Sequence, residues 1–98
     1  VLAPYKVSVL PLVKKYHSEY AKELYRKLQH SFMCSYDETG SIGKRYRRSD
    51  ISGTPYCITV DDETLNNHTV TLRDRDTMEQ IKLDIDEVEG YIKSKINL

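Results

Sequence analysis

Four basic residues bracket one tyrosine in the run Lys44-Arg45-Tyr46-Arg47-Arg48. Arginine offers bidentate donors and a plane for stacking, so such a run can contact phosphates or bases. At about 100° per residue, Lys44, Arg45 and Arg48 share one side of a helix and Arg47 points elsewhere. A solvated cationic helix face is the competing use of the same residues. Immediately before it, Gly40-Ser41-Ile42-Gly43-Lys44 falls where a strand turns into a helix. The spacing is not that of a Walker loop, but a helix N-terminus attracts anions all the same. Two glycines serving a tight turn is the plainer reading. Arg73-Asp74-Arg75-Asp76 alternates charge at the end of a strand. Exposed ion pairs within such a hairpin would be worth only about 0–1 kcal/mol each.

Other reactive constellations are missing. The sequence holds no Gly-x-x-x-x-Gly-Lys-Ser/Thr loop, no Gly-x-Ser-x-Gly elbow and no His-Glu-x-x-His pair. His17, His30 and His68 lie far apart on polar positions and read as surface side chains. No Cys or His pair has zinc spacing, so no metal is assigned. Cys34 and Cys57 sit in apolar stretches and read as reduced, buried thiols, which fits a cytoplasmic compartment. Asp61-Asp62 and the Asp74/Asp76 pair fall in loops, where solvated turns are their ordinary role. A stand-alone small-molecule enzyme would need a clustered reactive group, and none is offered.

These residues must be positioned by a small body. Ninety-eight residues that are 39% apolar support one domain, residues 1–98, with a modest core. Fifteen basic residues balance fifteen acidic ones. That zero argues against a uniformly basic nucleic-acid binder, yet it averages unlike halves. Residues 1–48 carry ten Lys/Arg against four Asp/Glu, and residues 49–98 carry five against eleven, so the halves stand at +6 and −6. Distribution rather than sum selects a partner. No apolar run approaches the roughly 18–20 residues of a membrane span. The start, Val1-Leu2-Ala3-Pro4, has neither a signal-peptide pattern nor an initiator methionine, and reads as a piece of a longer chain.

The periodicities give an order β-α-β-α-β-β-β-α. Lys6–Leu12 is short, β-branched and near-continuously apolar, a strand buried on both faces. Ser18–His30 has Ala21, Leu24, Tyr25 and Leu28 at helical spacing. A strand at Phe32–Tyr36 completes a right-handed βαβ unit. Ser41 opens a second helix ending near Ile51, with Gly53 as a left-handed cap. Ile42, Tyr46 and Ser49-Asp50 face inward on it. Tyr56–Val60 is a third strand, and the polar stretch Asp61 to Asn67 is a loop. His68–Arg73 alternates as a half-buried antiparallel strand, and Thr77–Leu83 is the fifth strand. The last helix starts at Asp84 with a capping box to Glu87, and its stripe is Ile85, Val88, Ile92, Ile96 and Tyr91. The expected fold is α/β, a mixed five-stranded sheet with one antiparallel strand and three helices distributed over both faces.

With the elements in place the motifs become familiar. Ala3-Pro4 before Lys6–Leu12, Gly40-Ser41-Ile42-Gly43-Lys44-Arg45-Tyr46, Gly53-Thr54-Pro55-Tyr56, and Thr69 through Met78 closely resemble the C-terminal anticodon-binding domain of glycyl-tRNA synthetases of the dimeric class II type. The resemblance runs over essentially the whole chain. The same general domain serves histidyl, prolyl and threonyl enzymes, and a related one occurs in the accessory subunit of mitochondrial DNA polymerase. The latter gives the alternative function, a non-catalytic nucleic-acid or protein interaction domain. The family's activity is ATP-dependent attachment of glycine to its tRNA. The resemblance therefore implies ATP and Mg as cofactors of a full-length enzyme, none in this domain, and a homodimer built mainly by the catalytic region. The resemblance leaves this piece free to be a monomer; it would not aminoacylate alone and would hold the anticodon loop of tRNA(Gly).

Glycine anticodons carry cytosine at their second and third positions. A cytosine edge offers an amino donor together with carbonyl and ring-nitrogen acceptors, so reading it takes both carboxylate and guanidinium groups. The motifs put Lys44 and Arg75 at the anticodon. Arg45, Arg48 and Arg73 are further candidates, with bracing of the fold as the other use of an arginine near a βα turn. Asp61 is the candidate acceptor. The family often has Arg at the position of Lys44 and an aromatic at that of Asp62, which leaves Tyr36 or Tyr56 as stacking surfaces.

Overall fold

The computed structural model describes residues 6–96. Its centre is β1 (Val7–Pro11), buried along its whole length because parallel partners lie on both sides, β2 (Cys34–Tyr36) and β3 (Tyr56–Val60). Beyond β3 come β4 (Thr69–Asp74) and β5 (Gln80–Asp84), each antiparallel to its predecessor. The order is β2-β1-β3-β4-β5, with β4 alone running against the rest.

The alternation of each strand divides the sheet into unlike faces. One carries Val7, Val9, Ile58, Val60, Val70 and Leu72. It is covered by Ala21, Leu24 and Leu28 of α1 (Lys14–Leu28) and by Val88 and Ile92 of α4 (Ile85–Ile96). The other carries Ser8, Cys57, Thr59, Thr71 and Arg73 in register, and α2 (Ile42–Ser52) crosses it. Ser49 Oγ meets Cys57 Sγ at 2.9 Å, and the Tyr46 hydroxyl meets that of Thr59. The larger apolar cluster is thus on the first face, while the face under α2 combines hydroxyls and a thiol with the buried Leu10 beside Thr59.

A fourth helix, α3 (Asp62–Asn67), replaces the expected polar loop. Asp61 caps it: its Oδ1 accepts from Thr64 N at 3.2 Å, and its own N–H donates to Thr64 Oγ1 at 3.1 Å. Such a reciprocal pair satisfies two otherwise orphaned donors, which suffices to close one and a half turns. Other bounds shift for similar local reasons. α1 begins four residues before Ser18, because Val13 is already an extended N-cap. β5 begins at Gln80 rather than Thr77, because Asp74 Oδ1 accepts from the N–H groups of Asp76 and Thr77 and holds the connection in a turn. Asp84 closes β5 rather than opening the helix, though its N–H still donates to Glu87 Oε1 at 3.3 Å. Ala3-Pro4 and the side chain of Ile96, used above, lie outside the described residues. Among those residues no helix is long and apolar enough to cross a membrane.

Candidate nucleic-acid interface

Five of the six candidate residues lie on α2 or bond to it. Ser41 Oγ accepts from Lys44 N, and Gly53 ends the helix at φ 79°. The packed side holds Arg45 and Ser49; the solvent side holds Lys44, Arg47, Arg48 and Ile51. This corrects the sequence reading of the helix: Arg47, not Arg45, shares the exposed ridge with Lys44 and Arg48. Spacings of three and four residues make that ridge.

Arg45 is 4% exposed. Its guanidinium donates to the carbonyls of Pro11, Glu38 (3.0 Å) and Gly40 (2.6 Å), and its Nε to that of Thr39 (3.3 Å). Gly40 has φ +70°, a backbone that side chains resist, and in it the Gly40 carbonyl reaches the guanidinium. Arg45 ties the end of β1 to the β2–α2 connection. Arg48 is anchored more loosely, with Nε on Asp37 Oδ2 at 2.6 Å and Nη2 on Asp37 Oδ1 at 3.0 Å. Burial acts to raise the Asp37 carboxyl, but hydrogen bonds from Arg48 and Thr39 outweigh it and hold the group below its ordinary value. A cavity of about 270 Å³ opens between α2 and the β2 edge, lined by Ser8, Ser35, Asp37, Arg45, Arg48 and Ser49 among others. Lys44 and Arg47 side chains are exposed, with no hydrogen bond or ion pair among the described residues.

The other end of α2 carries the second group of candidates. Arg73, 8% exposed, pairs with Asp50 through Nη1 at 2.9 Å and Nη2 at 3.3 Å, and lies 5.1 Å from the centre of the Tyr46 ring. The bond to Asp50 raises the guanidinium's affinity for its proton. Arg75 donates from Nε to the Asp50 carbonyl at 3.1 Å, and its side chain is otherwise exposed apart from a 3.5 Å contact with Asp76. Asp61 spends its Oδ1 on the α3 cap, and its Oδ2 has no partner among the described residues.

The six candidates therefore form two groups rather than one cluster. Lys44, Arg45, Arg48 and Asp61 stand at the end of the sheet where β1 and β3 finish; Arg73 and Arg75 stand where β3 starts. Along α2, Lys44 lies six residues before Asp50, the anchor of the second group, a rise of about 9 Å, with Arg48 between them. Beside α2 the polar face continues uncovered over Thr71, Gln80 and Lys82. Neither stacking tyrosine is on this face. Tyr56 is 7% exposed in the core, and Tyr36 packs against the core, its hydroxyl on Glu38. Sequence reading passed over Arg47, Asp37 and Asp50. Of these Arg47 alone was legible, as i+3 from Lys44.

A mixed sheet with helices on both faces, one of them cationic, defines a small α/β module. The chain matches the family model described as "Anticodon binding domain" over residues 6–95, and it belongs to that family. Similar curated proteins are glycine–tRNA ligases. Those of Clostridium kluyveri, Alkaliphilus metalliredigens and Bacillus anthracis are 57%, 58% and 55% identical over 95 residues, which is 97% of this chain. The chain spans 20% of the length of each. Among solved structures, the RNA binding domain of threonyl-tRNA synthetase from Cryptosporidium parvum superposes with a TM-score of 0.84 at 31% identity, over 93% of this chain and 23% of that one.

Proposed function

We propose that this chain, residues 1–98, is the anticodon-binding domain of a longer glycine–tRNA ligase and holds the anticodon loop of tRNA(Gly). The observation that carries the reading is the identity to such ligases along nearly the whole chain, joined to an exposed cationic ridge on α2. Lys44 and Arg47 would neutralise phosphates. Arg75, anchored by Nε, keeps donors for cytosine acceptors, and Asp61 Oδ2 would accept from a cytosine amino group. Arg45 and Arg73 act as positioning residues, since their guanidinium groups are occupied within the fold. Arg48 stands between these roles.

ATP and Mg would serve the catalytic region. Among the described residues no group of three or more His, Cys, Asp or Glu is placed to hold a metal ion. A homodimer of the full enzyme and a cytoplasmic setting complete the reading, the latter supported by two buried free thiols. The relatives named above are ligases, which favours this over an accessory-subunit role.

The test is a titration of the 98-residue chain with a glycine anticodon stem-loop and with one whose two cytosines are replaced, each at two salt concentrations. Tighter binding to the first, weakening as salt rises, is expected. Equal binding of both RNAs would refute base reading.

A further inference from the structure

Two described non-glycine residues hold a left-handed backbone, His68 at φ 58° and Met78 at φ 63°. Histidine is among the types that tolerate this region, and His68 ends α3 there. Methionine is not, and Met78 ends the loop between β4 and β5 at a position where glycine or asparagine would be free of strain. The loop imposes that conformation. Met78 N donates to the Asp74 carbonyl at 2.8 Å, Asp74 N donates to the Glu79 carbonyl at 2.9 Å, and Asp74 Oδ1 caps Asp76 and Thr77.

Folding gains little from the methionine in return. Its side chain is 61% exposed and is not part of the core. Its one polar contact is Sδ at 3.3 Å from Arg73 Nη2, a guanidinium already paired with Asp50. Next to Asp50 stands Ile51, 79% exposed, the most exposed large apolar residue described. Ile51 also closes the solvent ridge of α2, seven residues after Lys44 and four after Arg47. The ridge therefore reads cation, cation, cation, apolar. The Met78 thioether touches the Arg73 side of the Arg73–Asp50 pair, Arg75 Nε holds the Asp50 carbonyl, and Ile51 is the next residue of α2 after Asp50. An apolar surface with a planar donor at its rim matches the face and edge of an unstacked base, and a strand whose phosphates follow the α2 cations would deliver one there.

We propose that Met78 and Ile51 form an apolar shelf that takes the face of an unpaired nucleobase of the bound RNA, with Arg75 at the base edge. This rests on the anticodon-loop reading above and adds residues that the charged candidates do not include.

The experiment uses the 98-residue chain with Met78→Gly, Met78→Leu and Ile51→Ala, thermal unfolding, and titration with the glycine anticodon stem-loop at two salt concentrations. Met78→Gly relieves the backbone, so it should melt at or above the wild-type temperature while binding at least fivefold more weakly. Met78→Leu should bind within twofold of wild type. Ile51→Ala, at an exposed site that cannot unfold the chain, should also weaken binding severalfold. The salt dependence of all three should match wild type, because no phosphate contact is lost. Abasic sites in the loop should erase the difference between Met78→Gly and wild type. If Met78→Gly and Ile51→Ala bind as wild type does, the shelf is refuted while the anticodon reading stands. If the two variants retain RNA binding but lose association with another protein segment, the surface serves a protein partner and the proposal fails. If the wild-type chain binds no stem-loop, the parent reading fails with it.

Discussion

His17 donates from Nε2 to Asp62 Oδ1 at 2.8 Å while its Nδ1 accepts the N–H of Val13 at 3.0 Å. A backbone N–H can only donate, so the tautomer with the proton on Nε2 is fixed. One ring, 1% exposed, thereby joins the N-cap of α1 to the first residue of α3, beside the Asp61 cap. The partners differ in consequence. Removing the ring leaves a void in the fold and takes the acceptor from the Val13 N–H; removing Asp62, whose side chain is 84% exposed, lets water take the place of its carboxylate at the ring Nε2–H. His17→Ala should cost about 2–4 kcal/mol and Asp62→Ala about 0–1 kcal/mol. Urea titrations of the two variants decide this, and equal costs would contradict it.

Arg45 and Lys44 are neighbours with opposite expected behaviour. Arg45→Ala strands the carbonyls of Pro11, Glu38 and Gly40 beneath α2. The expected loss is about 2–4 kcal/mol of stability. Lys44→Ala should leave stability within about 0.5 kcal/mol and reduce the salt dependence of RNA binding by about one phosphate contact. Unfolding curves paired with binding at several salt concentrations separate the two. A flat salt slope for Arg45→Ala at full stability would reverse the assignment.

What could be read from the chain and what could not follow one line. Ser41 and Gly53 mark the ends of α2 by local chemistry, and β3 was placed at Tyr56–Val60 because an apolar run follows Pro55. The mixed sheet with β4 reversed follows from a connection too short for a parallel crossover. The facing of a cationic helix is different. With four basic residues in five and no apolar stripe, which arginine turns inward is decided by carbonyls at the end of β1, 34 residues away from Arg45. His17 looks like a surface histidine until Asp62, 45 positions on, is brought beside it. The α3 cap was local and legible in principle, but six residues of polar composition carry no helical period. The candidate residues come from motifs; their division into two groups depends on the path of α2 and is not written in those motifs.

The titration of buried groups sets both ends of the stability profile. Burial pushes the Cys34 thiol up to about 11 from 9.0 and raises the Cys57 thiol as well. A group raised on folding contributes stability in full below its unfolded value and loses it as pH climbs through the folded one. Stability should therefore fall between about pH 9 and 11, by on the order of 2 kcal/mol for Cys34, and Cys34→Ala should flatten that part of the slope. At the acid end Asp37 is held low, burial being outweighed by Arg48 and Thr39, so its contribution is present above about pH 4 and lost below it. Denaturant midpoints from pH 3 to 11 check both limbs. A slope unchanged in Cys34→Ala would remove the thiol from the account.

Gly43 and Gly90 form a matched pair for the last prediction. Each is exposed within a helix, and a Cβ at either would meet nothing within 4 Å. Alanine should then stabilise both helices, by about 0.5–1 kcal/mol each, since glycine loses the most backbone entropy on folding. Folding therefore gives no reason for glycine at 43 that does not apply at 90. Their surroundings differ. Gly43 adjoins Lys44 in the first turn of α2, where a phosphate of the bound loop would approach the backbone most closely, whereas α4 covers the opposite face of the sheet. Gly90→Ala should raise the melting temperature and leave stem-loop binding unchanged. Gly43→Ala should raise the melting temperature and weaken binding about threefold to tenfold, the added methyl holding the RNA backbone off the helix. Melting curves and titrations of the two variants in parallel make the comparison. Unchanged binding in Gly43→Ala would mean that the RNA does not pass over the first turn of α2, and would move the phosphate contacts toward Arg47 and Arg48.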